Sequence, residues 1–172
     1  MAELAENTET ELAEEKKLEN RVQFLSFTLG DEEYGVDILR VQEIRSWEPV
    51  SRIPNVPEYE KGVVNLRGAI VPIIDLRERF GLGHLAYTPL TVVVVLQTQA
   101  EQGHARVMGV VVDSVSDVID VEEKTIQSAP NFGTKVSTEF INGLASVNER
   151  MVMLLDVNKL LQLDSLNDED ES

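Results

Sequence analysis

Gly62-Val-Val-Asn-Leu-Arg-Gly-Ala-Ile-Val-Pro-Ile-Ile-Asp75 and Gly143-Leu-Ala-Ser-Val-Asn-Glu-Arg-Met-Val-Met-Leu-Leu-Asp156 decide the fold of this chain. Each stretch opens on Gly and closes on Asp after the same interval. The first reads as strand, turn, strand, with Val63–Leu66 and Ala69–Ile74 flanking Arg67-Gly68, and its Ala69–Ile74 matches Arg150–Leu155 in the second. A second match lies upstream. Gly35 is followed by Val41 and Ile44, and Gly109 by Val115 and Val118, both at offsets of six and nine. Two separate stretches in the same order indicate an internal duplication. The first pair is 74 positions apart and the second 81, which places about seven extra residues in the second copy near Pro130–Ser137.

Working outward, order begins near Val22. Leu25, Phe27 and Leu29 fall on one face of a strand, Gly30-Asp31-Glu32-Glu33 is a polar turn, and Tyr34–Ile38 resumes as a strand. Ile38, Val41 and Ile44 suit either a helical turn or a bent strand. Pro49, Pro54 and Pro57 mark a loop, since proline donates no ladder hydrogen bond. Arg67-Gly68 makes a hairpin turn, and Asp75 caps a short helix through Leu76–Phe80. Val92–Leu96 is β-branched and suits a buried strand. Val107–Val112 and Met151–Leu155 follow as strands, and Asp156 caps a closing helix through Leu163. The expected fold is all-β. Each copy supplies four or five short strands, enough for a small barrel. The two barrels are expected to pack about a pseudo-two-fold axis, with short helices and a C-terminal helix, and with a groove between them for an elongated partner. The expected boundaries are an acidic tail over 1–21, a folded unit over 22–163 and an acidic tail over 164–172. Within the unit the copies divide at about 22–88 and 89–163, with strand exchange allowed.

Composition narrows the function classes. The 172 residues are 42% apolar, enough for a packed core, and carry a formal charge of −16. Of this, −4 falls in residues 1–21 and −5 in 164–172, which leaves −7 for the body. A net acidic surface repels phosphate backbones and anionic lipid, so neither nucleic acid nor direct membrane insertion is expected. The longest apolar runs are five residues, far short of the roughly twenty a helical span needs. The chain has no cysteine, and its acidic N-terminus lacks a signal-peptide pattern. A cytoplasmic location is expected.

No catalytic, metal or cofactor constellation emerges. His84 and His104 lack a second histidine at ligand spacing, and Gly62–Gly68 lacks the Lys-Ser/Thr end of a phosphate loop. Ser114 and Ser116 lack a nucleophile-elbow context. Asp113, Asp117 and Asp120 alternate with valines and read as an exposed acidic side. Trp47 reads as wholly or partly buried. Arg67 at its hairpin tip is either a solvated turn residue or an anchor pairing with Glu43. Val41, Val115 and Val118 are either core or the walls of a groove.

Phe24–Gly35, Val41-Gln-Glu-Ile-Arg45, Gly62-Val-Val-Asn-Leu-Arg-Gly68, Val71-Pro-Ile-Ile-Asp-Leu-Arg77 and Gly109-Val-Val-Val-Asp113 together resemble the CheW family of bacterial chemotaxis, over about Val22 to Leu163. The resemblance implies two SH3-like, five-stranded barrels and a non-enzymatic adaptor in signalling arrays. It implies two partners: the cytoplasmic hairpin tip of chemoreceptors (methyl-accepting chemotaxis proteins) and the regulatory domain of the histidine kinase CheA. By position it places Val41, Glu43, Gly62, Arg67, Val92, Val115 and Val118 in the receptor-facing groove, with Glu43 and Arg67 fixing register at its rim. It names no kinase-binding residue. A different class, a small-molecule-binding or catalytic β-barrel, would show clustered polar residues inside a pocket.

Overall fold

The computed structural model describes residues 20–82, 86–98, 105–128 and 138–161. His84, His104, the extra residues placed near Pro130–Ser137, most of the first tail and all of the second lie outside these. Ten strands form two five-stranded sheets. The strands are β1 (Arg21–Leu29), β2 (Glu32–Asp37), β3 (Val41–Ser46), β4 (Glu60–Leu66) and β5 (Ala69–Asp75), then β6 (Val92–Gln97), β7 (Val107–Val112), β8 (Ser114–Glu122), β9 (Ile141–Val147) and β10 (Arg150–Leu155). One sheet runs β8-β1-β2-β10-β9 and the other β3-β6-β7-β5-β4.

These orders are one order written twice. Replacing each strand by its counterpart five places along the chain turns the first list into the second. The likeness extends to register. Leu154 pairs with Gly35 and with Gly143, and Ile73 pairs with Gly109 and with Gly62. Both contacts made by β2 and β7 with the distant strand are parallel. Even the bulges repeat: the β3–β6 register slips between Val41 and Glu43, and the β8–β1 register slips between Val115 and Asp117. Each sheet takes strands from both sides of residue 88, because β3 and β8 cross from one sheet to the other.

The crossings explain the ambiguous segment after β2. Ile38–Arg40 is a 3-10 turn, its first turn capped by Asp37, and Val41 then continues as strand. Both helical caps expected from the sequence are present. Asp75 accepts from the Arg77 N–H at the start of the helix Leu76–Arg79, and Asp156 accepts from the Lys159 N–H where residues 157–161 are helical. The paired hairpin tips both use positive φ at two successive residues, Arg67 (52°) with Gly68 (89°) and Asn148 (49°) with Glu149 (66°). Such turns match the right-handed twist of the strands they join.

Each sheet has two apolar faces. Phe24, Ile119, Val121, Ala145, Val152 and Leu154 fill one barrel, and Ile73, Val93, Val95 and Val111 fill the other. The opposite faces meet in the largest apolar cluster among the described residues. It joins Leu25, Phe27, Leu29, Tyr34 and Val36 to Val94, Leu96, Val110 and Val112. At ~25 cal/mol per Å² of apolar surface this shared core is the main bond between the barrels. The junction is therefore filled. A groove for a partner, as expected from the sequence, would lie along the partly exposed residues at the rim of this core.

Candidate functional site

The seven residues assigned by resemblance fall into two neighbouring sets, and β3 contributes to both. Val41, Val92 and Val115 are half-buried and pack against the shared core from its edge. Val118 is 45% exposed, directly across from Leu25 of that core. Its counterpart in the repeat, Ile44, is also 45% exposed and lies across from Val94. Edge strands β3 and β8 thus carry the apolar face of the core out to solvent. Ile44 belongs to this rim and was absent from the resemblance-based set. Its repeat spacing from Gly35 was the signal that marked it.

The second set closes the β3-to-β4 seam. β3 and β4 are the two edges of their sheet. The chain leaving β3 returns along β4 through a bridge between Ser51 and Val63. Arg67 Nη2 donates to Glu43 Oε2 at 3.3 Å, linking the β4–β5 tip to β3. The Glu43 side chain is 26% exposed and Arg67 81%, so the guanidinium projects into solvent from a carboxylate anchored at the seam. Asn65 accepts from the Gly68 N–H and braces the turn. Gly62 has a different task from its neighbours. It is buried at φ 146°, and a Cβ there would stand 2.0 Å from the Ser51 carbonyl oxygen. Gly62 lets two backbones touch at the seam, and presents no surface of its own.

One buried polar cluster escaped the sequence reading. Arg77 is fully buried. Its Nε and Nη2 donate to the two carboxylate oxygens of Asp75 at 2.9 and 2.8 Å, and its Nη1 donates to Asp113 Oδ1 at 2.9 Å and to the Ala86 carbonyl at 3.2 Å. The Tyr87 ring lies 5.2 Å from the guanidinium carbon and stacks on Trp47 at 4.3 Å. Burial works against the Arg77 charge, but the hydrogen bonds it donates to Asp75 and Asp113 outweigh it and raise its pKa above the usual guanidinium value. Asp113 is thus no part of an exposed acidic side. It is half-buried and holds Arg77 with one oxygen and the Gly30 N–H, at 2.7 Å, with the other. Asp117 and Asp120 are exposed as expected. Asp113 escaped because its partner lies 36 positions back in the chain.

A cavity of about 480 Å³ lies elsewhere, against Glu33, Leu144, Arg150 and Met153. It includes none of the seven residues. Among the described residues, no helix is long and apolar enough to cross a membrane.

Comparison with known proteins supplies a context for this geometry. A family model described as CheW-like domain matches residues 23–165. The chemotaxis protein CheW of Klebsiella aerogenes is 49% identical over 144 residues, 84% of each chain. Protein FrzA of Myxococcus xanthus is 30% identical over 142 residues, 81% of this chain and 85% of its own. The crystal structure of scaffolding protein TtCheW from Thermoanaerobacter tengcongensis superposes with a TM-score of 0.70 at 32% identity, covering 79% of this chain and 84% of that one.

Proposed function

The chain belongs to the CheW family, and from that premise we propose that it is a non-enzymatic adaptor coupling chemoreceptors to the histidine kinase CheA in cytoplasmic, membrane-associated arrays. The working unit is residues 22–163. The receptor's helical hairpin tip lays apolar side chains along the rim made by Val41, Val92, Val115 and Val118. Glu43 and Arg67 fix its register. This is helix-in-groove recognition, in which apolar anchors give affinity and rim charges give orientation. The regulatory domain of CheA takes a barrel face at an end of the molecule.

The observation that carries this reading is the solvent-projecting Arg67, tethered by Glu43 beside an apolar rim that the fold leaves uncovered. The alternative, a ligand-binding or catalytic barrel, needs convergent polar groups facing a pocket. Both barrel interiors are lined by apolar clusters. In the buried polar cluster every guanidinium nitrogen is already paired.

Signal passes through such an adaptor only if receptor states differ in affinity for the rim. Individually weak contacts suffice, because an array multiplies them. The test is a titration of the full chain with a receptor hairpin fragment and a CheA regulatory domain, together and apart. Simultaneous binding of both is expected. Competition between them, or binding of neither, overturns the adaptor mechanism.

A further inference from the structure

Among the described residues, one of the two barrels has a buried cluster of the Asp75–Arg77–Asp113 kind. The repeat fixes its image in the sister barrel, where positions 75, 77 and 113 correspond to Asp156, Asn158 and Leu39. There Leu39 and Asn158 are exposed, and with Asp37, Arg40 and Asp156 they line an open cavity of about 370 Å³. The sister sheet nevertheless has the same strand order and the same bulges. A buried charged cluster is therefore no condition of closing this barrel. Nor is it an efficient source of stability, since desolvating the ions offsets much of their attraction and apolar replacements are often neutral or better.

What the cluster touches points to another role. Asp113 is the single residue between β7 in one sheet and β8 in the other. Its side chain joins Arg77, which follows β5, to Gly30 in the β1–β2 turn, and its N–H donates to the Thr28 carbonyl. Val115 stands two residues beyond it and Val118 five. β8 is an edge strand whose one sheet neighbour is β1. We propose that Arg77, acting through Asp113, is a positioning residue for the β8 half of the receptor site. It fixes where the chain leaves one sheet for the other, and so where Val115 and Val118 stand relative to Val41 and Val92. This rests on the receptor-rim reading above.

The test uses the full chain and two variants, with a cytoplasmic hairpin fragment of a methyl-accepting chemotaxis protein as probe. Asp113→Asn keeps the residue's shape and weakens its hold on Arg77. The double variant Arg77→Asn, Asp113→Leu places at the cluster the residues of the sister positions, which are exposed there. Amide hydrogen exchange is read without the probe, and affinity is read well below each variant's melting temperature. Exchange at residues 115–118 should quicken at least tenfold while 62–68 stay unchanged, and affinity should fall at least fivefold. A cluster that merely stabilises would lower the melting temperature and leave the affinity of the folded protein within twofold, which overturns the proposal. Unchanged exchange in β8 overturns it too. If one variant fails to fold the other decides, and if both fail the cluster is a requirement of the fold and the proposal falls. A wild-type chain that does not bind the fragment overturns the rim reading instead, and the exchange arm still shows whether the cluster holds β8.

Discussion

Replacing Arg67 by Glu separates a binding role from a structural one. The Arg67–Glu43 pair is a single 3.3 Å hydrogen bond with its guanidinium 81% exposed. Pairs this open contribute about 0–1 kcal/mol, because solvent screens the charges and two long side chains must be held still. Reversing the charge opposes two carboxylates at a site where water intervenes, so the loss of stability should stay near ~1 kcal/mol. Backbone conformation adds little, since Glu149 already occupies a comparable left-handed position, φ 66°, in the sister turn. For a domain of this size ~1 kcal/mol moves the melting temperature by about 2–4 °C. An arginine anchoring an interface costs roughly 2 kcal/mol or more when lost, about 30-fold in affinity. Arg67→Glu should therefore melt within a few degrees of wild type and lose most of its affinity for a receptor hairpin fragment. Asn148→Glu changes the equivalent turn of the other barrel and should leave binding unaltered. Calorimetric melts and titrations read both. Affinity within threefold of wild type, equal losses in the two variants, or a melting temperature lowered by more than about 10 °C would each refute the reasoning.

Val118→Asp introduces a charge at a 45% exposed edge position, so it should fold normally and weaken fragment binding at least tenfold. A large fall in its melting temperature would instead mark Val118 as core. Gly62→Ala forces a Cβ to within 2.0 Å of the Ser51 carbonyl oxygen, a backbone atom that cannot swing aside. It should cost more than ~3 kcal/mol of stability, and an unchanged denaturation midpoint would show that the seam is looser than drawn. The Tyr34 hydroxyl is buried and donates to Glu32 at 2.6 Å, and burial first, then this bond, raise its pKa. Folding thus favours the neutral phenol: its contribution is fully present below about pH 10 and declines above that by about 1.4 kcal/mol per pH unit. Tyr34→Phe should flatten the alkaline limb of a stability-against-pH curve measured by chemical denaturation, and an equally steep limb would contradict this.

The strands and the duplication were legible because both rest on local signals. Alternation in Leu25, Phe27 and Leu29 is a property of neighbours, and all three are buried on one face. Gly35, Gly62, Gly109 and Gly143 mark tightly packed positions, against backbone at Gly62 and Gly143 and against core side chains at Gly35 and Gly109, so they stand out at fixed intervals. The turn at Arg67-Gly68 and the caps at Asp75 and Asp156 are likewise decided within a few residues. The exchange of strands between sheets was not legible. It depends on β2 pairing with β10 and β5 with β7, contacts between distant segments that leave no periodic trace. The filled junction was missed for a related reason. Apolar strands here serve two cores, one on each face, and the sequence shows only that they are apolar throughout. Asp113 looked like its neighbours Asp117 and Asp120 because burial of a carboxylate is set by a partner elsewhere in the chain. Of the rim, Val41, Val115 and Val118 were recognisable as repeat positions, but their exposure follows from β3 and β8 being edges.

Where the two copies agree and where they differ has a physical pattern. They agree at the glycines, the bulges and the strand register, all of which backbone packing dictates. They differ beside the shared core: Arg67 corresponds to Asn148, Glu43 to Asp117 and Val92 to Gln23, and the buried Arg77–Asp113 link corresponds to Asn158 and Leu39. In a perfect two-fold object the rim, which holds Val41 with its image Val115 and Ile44 with its image Val118, would accept one partner in two equivalent orientations. Loss of the arginine and of the valine at the image positions leaves one rim with both an apolar face and a tethered charge. A coupling adaptor has to hold two different partners at once, and a duplicated frame with unequal surfaces meets that need. The frame supplies rigidity through a core common to both barrels, and under the proposed function the unequal surfaces would keep the receptor from the place proposed for the kinase. On this reasoning the chain binds a single receptor hairpin in one orientation, and a wild-type stoichiometry of two would show that the differences between the copies do not govern binding.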